Sequence, residues 1–417
     1  MSIMATRIGD ALHTHPTSDV LVLGGGFAGV WAAATAAHVR RREGADLAIA
    51  LVAPGDDLVI RPRLYEADPD RMRVPIDRVL EPIGVRRIAA TVTGIDTANR
   101  TVATIGREGQ PGTIAYRRLV LATGSRLRRP DLPGAEHLYD VDTLGAATAL
   151  DSHLRQLREG PGRFTAVVVG AGFAGIEVAT ELAGRLRERA AEHGAADEAR
   201  VVLVERNDVV GPELGPGPRP AILDALAQVG VDVRLSRTLA SVSPEGVRLA
   251  DGAEIAARTV VWTAGLQASP LTRQVPGRHD PLGRLHVDEY LRVPESPDVF
   301  AAGDTAAAVA EPDRLVMQSC QHATPLGKHA GYNAAADLLE LPGVRFAPQP
   351  YVTCLDLGAA GAVFTRGWER AVQYRGAEGK QMKQTINRRL IYPPLDDAEA
   401  ILARAGDLAR QVDYGAR

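Results

Sequence analysis

The sequence predicts an α/β fold in which one strand, glycine turn, helix and strand unit is used twice. Three observations predict it. The segment Leu21-Val-Leu-Gly-Gly-Gly-Phe-Ala-Gly29 recurs as Val167-Val-Val-Gly-Ala-Gly-Phe-Ala-Gly175, offset by 146 residues. In each copy an apolar run (Val20–Leu23, Ala166–Val169) meets the glycines. An Ala-rich stretch of helical period follows (Val30–Arg40, Ile176–Ala190), and then a second apolar strand (Leu47–Val52, Val201–Val204). Finally, 42 Gly and 27 Pro with only 4% aromatic residues suit a chain of many tight strand-to-helix turns.

The 417 residues suffice for two or three domains with a large core. With 45% hydrophobic and 24% charged residues, and no apolar run near the roughly 18 residues of a membrane-spanning helix, the chain reads as soluble-type. A net charge of −3 gives nucleic acid or an anionic membrane no claim as main partner. Only two cysteines occur, Cys320 and Cys354, so there is neither a CxxC pair nor a disulfide framework, and redox chemistry needs a cofactor. Residues 1–17 are polar and lack a signal-peptide core, which reads as a flexible extension on a cytoplasmic protein.

The repeated GxGxxG has a physical meaning. Gly24 and Gly170 permit the tight turn, Gly26 and Gly172 let a pyrophosphate approach the backbone, and Gly29 and Gly175 let helix pack on strand. The helix starts at Phe27-Ala28 and at Phe173-Ala174, with Ile176 following, offer free N–H groups to phosphate. Two dinucleotides are therefore expected. Glu205 ends Val201–Glu205, where a carboxylate accepts both ribose hydroxyls and repels a 2′-phosphate, favouring NADH with NADPH as the alternative, since Arg206 is adjacent. The equivalent position in the first copy is Ala53, without an acid.

These motifs resemble those of the two-dinucleotide flavoproteins, the FAD-dependent pyridine nucleotide oxidoreductases, and among them the type II NADH dehydrogenases. The resemblance extends over roughly residues 18–395. It is carried further by Arg118-Leu-Val-Leu-Ala-Thr-Gly124, by Val260-Val-Trp-Thr-Ala-Gly265 and by Asp298-Val-Phe-Ala-Ala-Gly-Asp304. It implies that Ala122, Thr123, Gly124, Gly303 and Asp304 contact FAD, with Asp304 on the ribityl chain, and that Gly265 belongs to the NAD site. Without the resemblance, Asp304 also reads as a helix cap. Arg61 and Pro62 match a loop beside the flavin, Arg61 reading equally as a surface ion-pair residue. Val92 matches a backbone contact to the FAD adenine, or is an ordinary strand residue.

The resemblance also implies catalytic positions. Glu177 matches a glutamate near nicotinamide and flavin, where the first copy has Trp31; an acid in a first helical turn is the plain alternative. Gln321 and His322 lie in Met317–Gly327, which leads into the helical stretch Lys328–Leu339, a helix whose N-terminus would stabilise charge on reduced flavin. Quinone-reducing relatives carry two glutamines four apart, whereas Gln318 and Gln321 are three apart with His322 in the second place. No metal site is expected.

The implied architecture is two Rossmann-like (three-layer ββα) dinucleotide-binding domains, with the NAD(P)H domain (146–274) inserted in the FAD domain (18–145 and 275–345). A small α+β C-terminal domain (346–417) follows. The implied reaction passes hydride from NADH to FAD and then two electrons to a quinone-type small-molecule acceptor. Alternatives are a same-fold enzyme acting on an iron–sulfur protein or an organic substrate, and a redox sensor without turnover. The last residues carry few apolar side chains among acids, poor for an anionic interface. That leaves a cytoplasmic protein with at most weak peripheral contact at the inner face of the membrane, compatible with a homodimer.

Overall fold

The computed structural model describes residues 13–408. Residues 1–12 of the expected extension lie outside the described residues, as does the tail from 409 on. The extension expected over 1–17 is corrected at its end: the first strand, His13–Leu23, already begins at His13, whose partner is Gly112. The pairing supplies backbone hydrogen bonds to a segment that has little apolar content of its own.

Five parallel strands form the spine of the first sheet, in the order Ser296–Ala301, Pro111–Leu121, His13–Leu23, Ile49–Val52, Arg86–Ile88. Pro111–Leu121 also begins an antiparallel meander with Thr101–Gly106 and Ala90–Asp96, which adds the second β layer. The other face is covered by the helices Phe27–Arg42 and Cys320–Leu338. They cross backbone to backbone: a Cβ on Gly327 would lie 2.2 Å from the Ala28 carbonyl oxygen, and one on Gly331 would lie 2.1 Å from that of Ala32. Only glycine facing alanine allows this approach, which brings the two helix N-termini side by side.

The second unit repeats the plan with the parallel order Val231–Arg234, Arg200–Val204, Thr165–Val169, Thr259–Trp262, and the helix Phe173–Ala191 packed on it. A three-stranded antiparallel sheet, Leu239–Ser243, Gly246–Leu249 and Glu254–Ala256, supplies its second β layer. Tyr139 bridges in parallel to Val261, so the chain joins this sheet before residue 146. The charged run after Arg185 ends the helix and continues as a turn, largely solvated on its outer side.

The two units are joined by the antiparallel pair Ser125–Leu127 and Leu266–Ala268. The C-terminal sheet, Val352–Asp356, Ala362–Arg366 and Ala371–Arg375, packs Leu355 and Val363 against the core of the second unit. The chain then forms the helix Gly376–Thr385 and the wider turn Ile386–Leu390. It returns as Ala398–Gly406 to the first unit, where Ile401, Leu402 and Ala405 join the core around Phe27–Arg42. No helix among the described residues is long and apolar enough to cross a membrane.

Candidate active site

The elements converge on one cleft of about 1680 Å³ running between both glycine loops and the C-terminal segment. The volume exceeds that of most single-ligand sites and suits two extended ligands meeting end to end. In the first loop, Gly24 (φ 114°) lies so close to Ala122 that a Cβ would be 2.3 Å from its carbonyl oxygen, and a Cβ on Gly29 would be 1.8 Å from the Gly24 oxygen. A Cβ on Gly26 meets nothing within 4 Å, so this glycine borders open cleft. Gly24 and Gly29 are thus held by close backbone approach, while Gly26 stands at a helix N-terminus with room in front of it.

The second loop repeats the turn, with Gly170 at φ 102° and a Cβ on Gly175 only 1.7 Å from the Gly170 oxygen. Its seat differs. Glu213 reaches over Gly172, and the Phe173 N–H donates to its Oε1 at 2.7 Å. A carboxylate of the protein thus occupies the anion position of the second helix. Glu205 is buried and accepts from the Ala171 N–H at 2.7 Å and from the Asn207 backbone N–H at 2.9 Å, fastening the loop to the strand end. Arg206, Arg237 and Thr238 line the cleft beside it.

Between the loops lies a polar node. Ser125 donates to Asp304 Oδ2 at 2.6 Å, and Arg61 donates to Ser125 Oγ at 2.9 Å while pairing with Asp142. Arg61 is therefore an ion-pair residue and a cleft residue at once, and Pro62 lines the cleft next to it. Gly303, at φ 67°, would bring a Cβ 2.8 Å from that of Ala28, so the Asp304 turn sits on the first helix N-terminus. Ala122 and Gly124 line the wall, whereas Thr123 keeps a buried Oγ1 without a protein partner. Gly265 and Ala264 close the second unit's side.

The helix Cys320–Leu338 opens into the cleft, capped by Ser319, whose Oγ accepts from the His322 N–H. His322 is buried, stacks on Tyr351 at 5.0 Å, and bonds through Nδ1 to the Met317 carbonyl at 3.1 Å. With Nδ1 as donor, Nε2 is left as a buried acceptor without a protein partner. Burial lowers the imidazole to about 4, so it stays neutral. The Gln321 amide is committed elsewhere: its nitrogen donates to the Val352 carbonyl at 2.8 Å and its oxygen accepts from the Val352 N–H at 3.2 Å. It ties the C-terminal sheet to this helix while Gln321 still lines the cleft.

Glu177 stands in the wall of the cleft, and sequence reading missed its partner. Lys383, from the C-terminal helix, places Nζ 2.7 Å from Glu177 Oε1, with both side chains about nine-tenths buried or more. The same oxygen accepts from the Asp356 N–H at 2.9 Å, and Nζ also donates to the Cys354 carbonyl at 3.0 Å. Burial pushes the Glu177 carboxyl up to about 7 despite Lys383. For Lys383 burial acts to lower the pKa, but the facing carboxylate outweighs it and keeps the ammonium charged. The signal in the sequence was an isolated Lys in a basic stretch, with nothing to reveal which carboxylate it meets across 206 residues.

Val92 is not brought to the cleft: it lies in the strand Ala90–Asp96, half-buried against the apolar cluster on the meander side of the first sheet. Both thiols are free, and burial pushes Cys320 up to about 11 and Cys354 to about 12, opposite to what a reactive thiolate requires. Among the described residues no cluster of His, Cys, Asp or Glu could hold a metal ion.

Two glycine-loop units, one inserted in the other and sharing a cleft, define a pyridine nucleotide-dependent oxidoreductase fold. Residues 18–327 match the family model described as pyridine nucleotide-disulphide oxidoreductase, and the chain belongs to that family. It is 48% identical over 394 residues, 93% of this chain and 97% of the relative, to an NADH dehydrogenase-like protein of Mycobacterium tuberculosis. A type II NADH:quinone oxidoreductase of the same organism is 28% identical, with 74% of this chain and 71% of the relative covered. The structure of NDH2 from Plasmodium falciparum in complex with NADH shares the fold, with TM-score 0.75 at 12% identity, covering 94% of this chain and 97% of that one. The protein is an NAD(P)H-dependent flavoprotein oxidoreductase, NADH dehydrogenase-like.

Proposed function

We propose that this enzyme passes hydride from NADH to FAD and then two electrons to a quinone-type acceptor. The observation that carries the reading is the buried Glu177–Lys383 pair in the cleft wall, a proton-holding device beside the junction of the two nucleotide seats. An acceptor reduced by electrons alone has no use for it, whereas a quinone must gain hydrogen as well as electrons.

The residues fit the cofactor. Gly26 borders open space at a helix N-terminus, Asp304 and Ser125 present hydrogen-bonding groups, and Thr123 Oγ1 and His322 Nε2 are buried polar atoms without protein partners. FAD, when bound, supplies the two-electron chemistry between nicotinamide and acceptor. The loop Gly24–Gly29 would hold its pyrophosphate and Asp304 its ribityl hydroxyls, and the N-terminus of Cys320–Leu338 would favour negative charge at the reduced ring. Loop Gly170–Gly175, Glu205 and Gly265 would hold NADH. Glu177 would orient the nicotinamide side, and with Lys383 would keep a proton ready for the acceptor. The thiols argue against a persulfide or sulfide reaction, because burial holds both in the protonated form.

An anaerobic absorption spectrum during NADH titration, followed by a soluble quinone, tests the reading. Bleaching of the visible flavin band with fast recovery on quinone is expected. Recovery only with an iron–sulfur protein or another acceptor would replace the quinone, and no flavin band would overturn the assignment of both seats.

A further inference from the structure

A second cavity, of about 270 Å³, lies behind the Glu177–Lys383 pair, and all but one of the residues lining it, Ala67, carry a polar or charged group. At about 30 Å³ per water it has room for about nine waters. One end is at the surface, where Ala67, Gln384 and Arg388 are exposed. The other end is walled by Tyr65, Lys383 and Asn387, all buried, and these three residues also line the main cleft. The partition between the cavities is therefore one side chain thick, and Lys383 stands in it.

The groups along this cavity form a connected set. Lys380 donates to Asp356 Oδ1 at 2.6 Å, the Tyr65 hydroxyl donates to Asp356 Oδ2 at 3.2 Å, and Asn387 Nδ2 lies 3.5 Å from the Tyr65 oxygen. The Asp356 backbone N–H donates to Glu177 Oε1 and fixes the set beside the pair, and the cavity that Asp356, Tyr65 and Lys383 all line is what joins the set to the Lys383 ammonium. A buried carboxylate with both oxygens engaged, a lysine with its side chain about one-third exposed and a room-sized polar void would be an expensive way to build a core. They suit a path along which protons move.

We propose that this cavity is the proton inlet of the enzyme, delivering solvent protons through the Lys380–Asp356–Tyr65 set to Lys383 and Glu177. The proposal rests on the quinone reading above. In that reaction NADH, quinone and one proton give NAD⁺ and quinol: the hydride supplies both electrons and one hydrogen, and the second hydrogen is a proton from solvent. One proton must therefore reach the cleft per turnover, while flavin and nucleotide fill the cleft itself. An inlet from behind the pair supplies it without opening the cleft to water.

The test separates the two half-reactions by stopped flow. Reduction of the bound flavin by NADH takes up no proton; reoxidation by a soluble quinone takes up one. Ala67→Trp, at the exposed mouth, and Asp356→Asn are each expected to leave the first rate within twofold of the unsubstituted enzyme. The second should slow about tenfold or more, with a larger solvent deuterium isotope effect. A readout independent of turnover is a pH jump on the flavin-loaded protein with NAD⁺ bound, followed by infrared absorption of the Glu177 carboxyl, which should respond more slowly in Ala67→Trp. Unchanged quinone rates and an unchanged infrared response in both variants would overturn the inlet. If the unsubstituted enzyme itself is not reoxidised by quinone, the acceptor reading fails instead, and the infrared response alone then decides whether protons enter here.

Discussion

Lys383→Met leaves the Glu177 carboxylate without its counter-charge, and the structure sets how much that should matter. The side chains are 6% and 5% exposed and 2.7 Å apart, so neither charge is solvated as it would be at the surface. Breaking one partner of such a pair typically costs about 3–5 kcal/mol, because the remaining charge stays buried. The substituted protein can escape part of this by protonating Glu177, whose carboxyl already sits near 7. A raised folded pKa means that the protonated carboxyl fits the fold at low pH and that stability is lost as pH rises through the folded value. The deficit of Lys383→Met should therefore be small near about pH 5.5 and grow above about pH 7 by about 1.4 kcal/mol per pH unit, to about 2 kcal/mol near about pH 8.5, because removing Lys383 raises the Glu177 carboxyl further. Thermal unfolding of the flavin-loaded protein at both values reads it, with Glu177→Gln/Lys383→Met as the compensating variant, expected to recover more than half of the loss. A Lys383→Met protein as stable as the unsubstituted one at the higher pH, or a double variant no better than the single, would refute the claim that the two charges hold each other.

Three further outcomes follow from the same geometry. His322, lowered by burial from 6.5 to about 4, stabilises the fold fully above about pH 6.5 and ceases to do so as pH falls toward 4; up to about 3 kcal/mol is involved, and His322→Gln should flatten acid unfolding curves in that window. Glu213→Gln removes the negative charge from the second helix N-terminus. Binding of NADH or ADP-ribose should tighten by about fivefold, equivalent to about 1 kcal/mol, and titration calorimetry showing weaker binding would contradict the occlusion. Gly327→Ala should destabilise by about 2 kcal/mol or more despite alanine's better helix propensity, because its Cβ would sit 2.2 Å from the Ala28 oxygen; unfolding and flavin content measure this.

The local physics of the sequence determined a great deal. A glycine loop between an apolar strand and an Ala-rich helix is set by short-range sterics, so both repeats, their turns and the helices after them were legible from neighbouring residues alone. So was Asp304, because a strand, a glycine and an acid stand together in seven residues. Family likeness pointed to Glu177 and His322, and the fold places both in the cleft.

What only the tertiary structure decided are pairings between residues distant in the chain and the fate of individual polar groups. Gln321 looks like any helix-start glutamine until the C-terminal sheet brings the Val352 backbone onto its amide. Val92 lies on the meander side of its sheet, a matter of which layer the strand joins. Glu213 covers Gly172 because the loop after Val204 folds back over the helix start, which no spacing rule contains. Lys383 looks like any lysine of a basic stretch until the C-terminal helix brings it, 206 residues along the chain, onto Glu177. Short-range sterics repeat wherever the same residues recur, whereas the burial and partner of a charge are properties of the assembled fold, and it is these that give the carboxyl and the ammonium their chemistry.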